Sequence, residues 1–162
     1  MPKSFPPLVA PGARVLILGS MPGAASLKKK QYYAHPQNQF WRLLGEVLGE
    51  KLAEASYEAR FEILAKRKIA LWDVLAECSR EGSLDADISD EEPNRIAELL
   101  RETGIKSVFL NGGKAQAAFK QFIEDGMPSG VSVRRLPSSS PAHAGLTYAE
   151  KLDVWRAIAD AL

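Results

Sequence analysis

The sequence predicts an α/β fold, a three-layer α/β/α sandwich around a central four-stranded parallel sheet. Two observations carry the prediction. Short apolar runs, the first being Val15 to Leu18, alternate along the 162 residues with longer segments whose apolar residues recur at helical spacing. Strands alternating with helices imply parallel pairing, with helices covering both faces of the sheet. The first run also enters Gly19 and Pro22-Gly23 directly, as a central strand does when its C-terminal end delivers a tight, ligand-facing turn. Open α/β sheets place their sites at that edge.

In chain order, residues 1–13 hold four Pro and one Gly without periodicity and read as an extended arm. Strand one is Arg14 to Leu18. A polar loop follows, and Pro36 and Asn38 then precede Phe40, Trp41, Leu43, Leu44, Val47 and Leu48, which predicts a helix from about Gln37 to Gly49. A second helix is expected over Ser56 to Arg67 and a second strand over Ile69 to Leu75. The polar stretch 79–92, with five acidic residues among the eight from Asp85 to Glu92, reads as a surface loop. Pro93 to Glu102 is expected to be helical, with Gly104 beyond its end. Strand three is Ser107 to Leu110, and Asn111-Gly112-Gly113 turns into a helix running through Glu124 and stopped by Gly126. Strand four is Val131 to Leu136. Thr147 and Glu150 have capping-box spacing at the start of a last helix, whose Leu152, Val154, Trp155, Ile158 and Leu162 form a core face.

The length suits one domain spanning residues 1–162, with a core large enough to need no staples. A single cysteine, Cys78, excludes an internal disulfide framework and any four-Cys zinc or iron-sulfur centre supplied by one chain. Cys78 has no evident base and reads as inert. No window has signal-peptide or transmembrane character, so a soluble, cytoplasmic protein without membrane contact is expected. The formal net charge of +1 does not by itself announce a nucleic-acid binder. Its distribution is more informative, because Lys28, Lys29 and Lys30 lie inside the first loop and Arg134-Arg135 precede the segment L-P-S-S-S-P-A-H-A at Leu136 to Ala144. Such runs are often plain solvated surface; beside two prospective site loops they point to phosphate contact.

Two motifs give the chemistry a direction. Gly19 to Gly23 reads G-S-M-P-G and Tyr33 to Trp41 reads Y-A-H-P-Q-N-Q-F-W. Together they resemble the uracil-DNA glycosylase superfamily, whose bacterial mismatch-specific branch carries G-x-N-P-G after a strand and F-A-H-P-x-N-R-F-W later. The Pro/Ser segment Leu136 to Ala144 stands where that superfamily has its second signature. Met21 occupies the position of a catalytic Asn or Asp, and in this the chain is most similar to the hypoxanthine-DNA glycosylase branch.

The resemblance implies the strand order 2-1-3-4, which would gather Gly19 to Gly23, Asp73, Asn111 and Ser138 to His143 on one sheet edge. It further implies a monofunctional, cofactor-free and monomeric enzyme that excises a deaminated base, foremost hypoxanthine, from double-stranded DNA. Uracil in mismatches is the alternative substrate. Base excision requires extrusion of the nucleotide, an aromatic platform, hydrogen bonds to the base edge, a placed water and donors for the leaving base. By the resemblance Asn38 is the catalytic residue. A neutral amide cannot deprotonate water, so its task would be orientation; the residue type equally suits a helix cap. Met21 cannot position water, which argues against strong uracil activity.

Tyr33 corresponds to the aromatic that stacks on the base, while Tyr32 could cap the pocket. His35 either touches the base or fixes the loop. His143 could donate to the leaving base, touch phosphate or anchor its loop, whereas Ser138 replaces the His or Asn with which many relatives begin this motif. Ser139, Ser140 and Pro141 correspond to DNA-backbone contacts, and with Ala142 at the usual wedge position Leu146 becomes the candidate wedge. Asn111 and Asp73, ending strands three and two, could each read the base edge, although Asp is also an ordinary turn residue there. Trp41 and Trp155 are assigned to the core.

Other enzyme classes fit poorly. A serine hydrolase using Ser138 to Ser140, His143 and Asp73 lacks the G-x-S-x-G elbow. A nucleotide module lacks both the P-loop spacing and G-x-G-x-x-G. A catalytically weak damage sensor with the same fold is the remaining rival.

Overall fold

The computed structural model describes residues 3–79, 89–141 and 145–162. Its main sheet has four strands, β1 (Val15–Gly19), β2 (Ile69–Asp73), β5 (Ser107–Asn111) and β6 (Ser132–Leu136), all parallel in the order β2-β1-β5-β6. This is the 2-1-3-4 arrangement that the sequence resemblance implied.

The pleat explains the layers. Leu16 and Leu18 of β1 join Val108 and Leu110 on one face, beneath Ile96 and Leu100 of α4 (Ile96–Glu102) and Ala115 and Phe119 of α5 (Gly113–Phe122). Val15 and Ile17 turn to the other face with Leu71 and Phe109. There they meet Phe40 and Leu44 of α2 (Phe40–Leu48), Leu64 of α3 (Tyr57–Lys66), Trp155 of α6 (Tyr148–Trp155) and Ile158 of α7 (Ala157–Asp160). All five β1 residues are buried, as in a strand covered on both sides. Trp41 and Trp155 lie in the second layer, 4% and 0% exposed, as expected of core residues.

The sheet edges are handled differently. The arm runs beside β2, where Leu8 and Leu71 exchange backbone hydrogen bonds of 2.9 Å in each direction. On the far side the Ser132 to Arg135 stretch of β6 is exposed, and its two arginines discourage a further strand from adding.

Several boundaries differ from the sequence reading. The loop after β1 contains a short helix, α1 (Ala24–Lys29), closed by Lys30 in the left-handed conformation. Helix α2 begins at Phe40 rather than Gln37, with Gln39 as its cap. The second strand stops at Asp73. The Val74 and Leu75 amides then donate to the Gly19 and Ser20 carbonyls, at 2.8 and 3.0 Å, and turn the chain away into a separate antiparallel hairpin, β3 (Leu75–Ser79) with β4 (Ser89–Pro93). The described part of the acidic stretch is thus strand rather than loop, and residues 80–88 lie outside the described residues. Pro93, expected to open a helix, ends β4 opposite Leu75, a strand terminus being a place where its missing N–H is tolerated. Helix α5 stops at Phe122 and a 3-10 turn, Glu124–Gly126, completes the segment. The Thr147–Glu150 capping box forms, but the last helix divides at Arg156 into α6 and α7. Among the described residues no helix is long and apolar enough to cross a membrane.

Candidate active site

The C-terminal ends of the four strands open into a cavity of about 530 Å³, within the usual range for small-molecule sites. Both sequence motifs contribute to its wall. Gly19, Ser20, Met21, Pro22 and Gly23 come from the β1 turn, Tyr33, His35 and Asn38 from the following loop, Asn111 from β5, and Ser138, Ser139, Ser140 and Pro141 from the loop after β6.

The floor is made where β1 and β2 end in register, Gly19 opposite Asp73. Asp73 is buried at 3% exposure. A Cβ placed on Gly19 would lie 2.5 Å from Asp73 Oδ1 and 3.0 Å from Tyr33 Oη, so the carboxylate and the phenol converge on space that glycine alone leaves open. The negative charge of Asp73 is felt by its neighbours: burial first, then Asp73, pushes the Tyr32 phenol far above the ordinary tyrosine pKa.

The aromatic wall continues into the core. Tyr33, at φ 53°, stacks on Phe40 with centroids 3.8 Å apart and planes 7° from parallel. One ring face is therefore occupied by the core. Tyr32 does not cap the mouth: it is 3% exposed and its hydroxyl donates to the Pro6 carbonyl at 3.0 Å. The Trp41 indole N–H holds the Tyr32 carbonyl at 3.2 Å, and the Tyr57 hydroxyl accepts from the Tyr32 amide at 2.8 Å, so the segment before Tyr33 is pinned from both sides.

At the helix start, Asn38 Oδ1 accepts the Phe40 amide at 2.9 Å while the residue lines the cavity. Asn38 precedes the cap residue Gln39, so this is a turn bond to the first residue of α2, and it coexists with a place in the site. A carboxamide oxygen has two lone pairs, so this bond leaves capacity for a water. His35 Nδ1 accepts the Gln37 amide at 3.1 Å, a loop-fixing bond that also makes the acceptor nitrogen Nδ1.

The Pro/Ser loop is tied to the end of β5. Asn111 Nδ2 donates to Ser139 Oγ at 2.9 Å and its Oδ1 accepts the Ser139 amide at 3.0 Å, so one of its two N–H groups and one of its two lone pairs brace the loop. Ser139 is 1% exposed, so it braces the loop from inside rather than offering its hydroxyl to a DNA backbone. Ser138 Oγ accepts the Ser140 amide at 3.0 Å, leaving Ser140 and the exposed Pro141 at the rim. His143 and Ala142 lie outside the described residues. Leu146 is exposed, at 36%.

Lys28, Lys29 and Lys30 are exposed on and just after α1, and Arg134 and Arg135 on the β6 edge; none of the five lines the cavity. Arg135 Nη1 donates to Gln116 at 3.1 Å. Among the described residues the lysine that lines the cavity is Lys114, which the sequence reading does not single out. It stands in the first turn of α5, with Nζ 3.9 Å from Glu91 Oε1 on β4. Its signal was present: Asn111-Gly112-Gly113-Lys114 follows a strand and opens a helix. Among the described residues no cluster of three or more His, Cys, Asp or Glu is arranged to hold a metal.

The chain is similar to known proteins along most of its length. Residues 6–160 match the family model described as the uracil DNA glycosylase superfamily. A hypoxanthine DNA glycosylase of Methanosarcina barkeri is 45% identical over 115 residues, covering 70% of this chain and 72% of the relative. Its counterpart from Methanosarcina acetivorans is 39% identical over 142 residues, 87% of each chain. The solution NMR structure of a Methanosarcina acetivorans protein, described as a candidate uracil DNA glycosylase, superposes with a TM-score of 0.81 at 35% identity, over 97% of this chain and 98% of the other.

Proposed function

The chain belongs to the uracil-DNA glycosylase superfamily, and on that premise we propose that it hydrolyses the N-glycosidic bond of deoxyinosine in double-stranded DNA, releasing hypoxanthine and leaving an abasic site. The observation that carries the reading is the meeting of Asp73, Tyr33 and Asn38 in one cavity. Deamination turns a ring nitrogen that bears a lone pair, N1 of adenine or N3 of cytosine, into a lactam N–H. A buried carboxylate accepts a bond from that N–H and repels the lone pair of the undamaged base. Guanine shares the N–H, so its rejection falls to its exocyclic amino group and to the cost of extruding it from a stable pair.

Each remaining step has a residue. The flipped base stacks on the ring face of Tyr33 opposite Phe40, continuing an existing stack. Asn38 orients water toward C1′ and its carbonyl favours the cationic sugar. The departing base gains negative charge, and Lys114 with the N-terminal amides of α5 stabilises it. With Met21, which lines the cavity and is 7% exposed, in the first motif, water placement rests on Asn38. The deciding assay offers duplexes with deoxyinosine, deoxyuridine, deoxyxanthosine or mismatched thymine, followed by alkaline cleavage. Deoxyinosine is expected to be cut fastest. Binding without abasic-site formation would leave a damage sensor.

Two further outcomes are expected. Hydrolysis by water makes the enzyme monofunctional, so borohydride should trap no covalent protein-DNA complex, even though Lys114 lines the cavity. Efficient trapping abolished by Lys114→Ala would replace this mechanism with Schiff-base chemistry. The exposed Lys28, Lys29 and Lys30 are assigned to phosphates. Changing all three to Ala should weaken damaged and undamaged duplex equally and flatten the salt dependence of binding by roughly 0.9 per lost phosphate contact. An unchanged slope would make the cluster ordinary surface.

A further inference from the structure

Lys151 lies one turn into α6, is 2% exposed, and donates from Nζ to Gln39 Oε1 at 3.0 Å. Gln39 occupies the junction of the two signature loops. It caps α2, it follows Asn38, its carbonyl accepts the Leu43 amide at 2.8 Å, and its own amide donates to the Ser139 carbonyl at 2.9 Å. Ser139 is in turn clamped to Asn111 at the end of β5. One side chain from the C-terminal helix therefore holds the residue at which the Asn38 loop meets the Pro/Ser loop.

The choice of lysine there has a physical cost. Burying an ammonium removes its hydration, and this one lies beside the positive end of α2. Burial accordingly lowers its pKa from the ordinary lysine value. Methionine would fill much the same volume without either penalty, although it would leave Gln39 Oε1 without this donor. Core packing thus does not account for Lys151.

We infer that Lys151 is a positioning residue for base excision: through Gln39 it fixes the backbone that carries Asn38 against the Pro/Ser loop. The inference rests on Asn38 orienting the attacking water. Misplacing a reacting group by about 1 Å can cost about a hundredfold in rate, and the Gln39 side chain is a single residue from Asn38.

The test separates positioning from stability by measuring both on Lys151→Met and Gln39→Leu, which cut the tie from opposite ends. Single-turnover excision from a deoxyinosine duplex is expected to fall roughly ten- to a hundredfold in each, with duplex affinity little changed and both variants folded at the assay temperature, so that the rate loss exceeds any loss of folded protein. The double variant should be no slower than the slower single variant, because one connection is lost only once. Wild-type excision by Lys151→Met, multiplying losses in the double variant, or a rate loss no greater than the loss of folded protein would each overturn the inference. Should Lys151→Met fail to fold, Gln39→Leu decides alone, and a wild-type rate there overturns it. Asn38→Ala keeps the two levels apart. If it is inactive while Lys151→Met is fully active, positioning falls and the catalytic assignment stands; if Asn38→Ala is active, both fall.

Discussion

Asn38→Ala is expected to leave a folded protein that still binds deoxyinosine duplex and excises the base at least about a hundredfold more slowly in single turnover. The experiment is informative because one atom carries two loads. Asn38 Oδ1 accepts the Phe40 amide at 2.9 Å and the residue also lines the cavity. Loss of that turn bond at the helix start costs about 0.5–1.5 kcal/mol, which for a chain of this size lowers the melting temperature by a few degrees, at about 2–4 °C per kcal/mol. Loss of a water-orienting group costs about 3 kcal/mol or more of barrier, the equivalent of the hundredfold slowing. Stability and rate thus respond on different scales, and both are measured on one preparation. Asn38→Asp keeps an oxygen for the Phe40 amide and should recover most of the melting temperature, while its altered charge and donor set keep excision below that of the parent. Near wild-type excision by Asn38→Ala would end the assignment and pass the water to the Pro/Ser loop or His143.

The sheet was legible because its signals are local. Val15 to Leu18 is an uninterrupted apolar run, and a strand buried on both faces has little other option. Thr147 and Glu150 declare a helix start by spacing alone, and the capping box forms as read. What escaped the sequence was set by contacts far along the chain. Nothing in I-A-L-W-D-V-L says that the strand ends at Asp73; the Gly19 and Ser20 carbonyls capture the next two amides and turn the chain into the hairpin. Ending a strand makes Asn111 a residue that could read the base edge, and only the fold shows Ser139, 28 residues away, engaging both its Nδ2 and its Oδ1. Lys114 and Lys151 were passed over for a related reason. A lysine on a helix is ordinarily solvated; the glycine turn before Lys114 marks a helix start that can face a site, whereas only the fold buries Lys151 against Gln39.

The base-reading assignment makes the second large prediction, Asp73→Ala, which is expected to lower deoxyinosine excision about ten- to a hundredfold by removing a hydrogen bond to a charged acceptor worth about 1.5–3 kcal/mol. Rate alone would not separate reading from folding, since Asp73 is 3% exposed and its backbone carbonyl accepts the Asn94 side chain at 2.8 Å. The discriminating measurement is a ratio. A duplex carrying deoxynebularine, the purine nucleoside without the 6-oxo group, presents a lone pair at N1 where hypoxanthine presents N–H. The parent enzyme should strongly prefer deoxyinosine, because the carboxylate is satisfied by one base and repelled by the other. In Asp73→Ala that part of the preference disappears, and both duplexes are cut at low and similar rates once any intrinsic difference in leaving-group ability is normalised by acid hydrolysis of the free nucleosides. Asp73→Asn should fall between the two, because a carboxamide can turn its oxygen toward N–H or its NH2 toward a lone pair. A merely structural Asp73 gives a different pattern, in which the melting temperature falls, both rates drop together and the preference survives. Retention of the full preference by Asp73→Ala would sink the assignment.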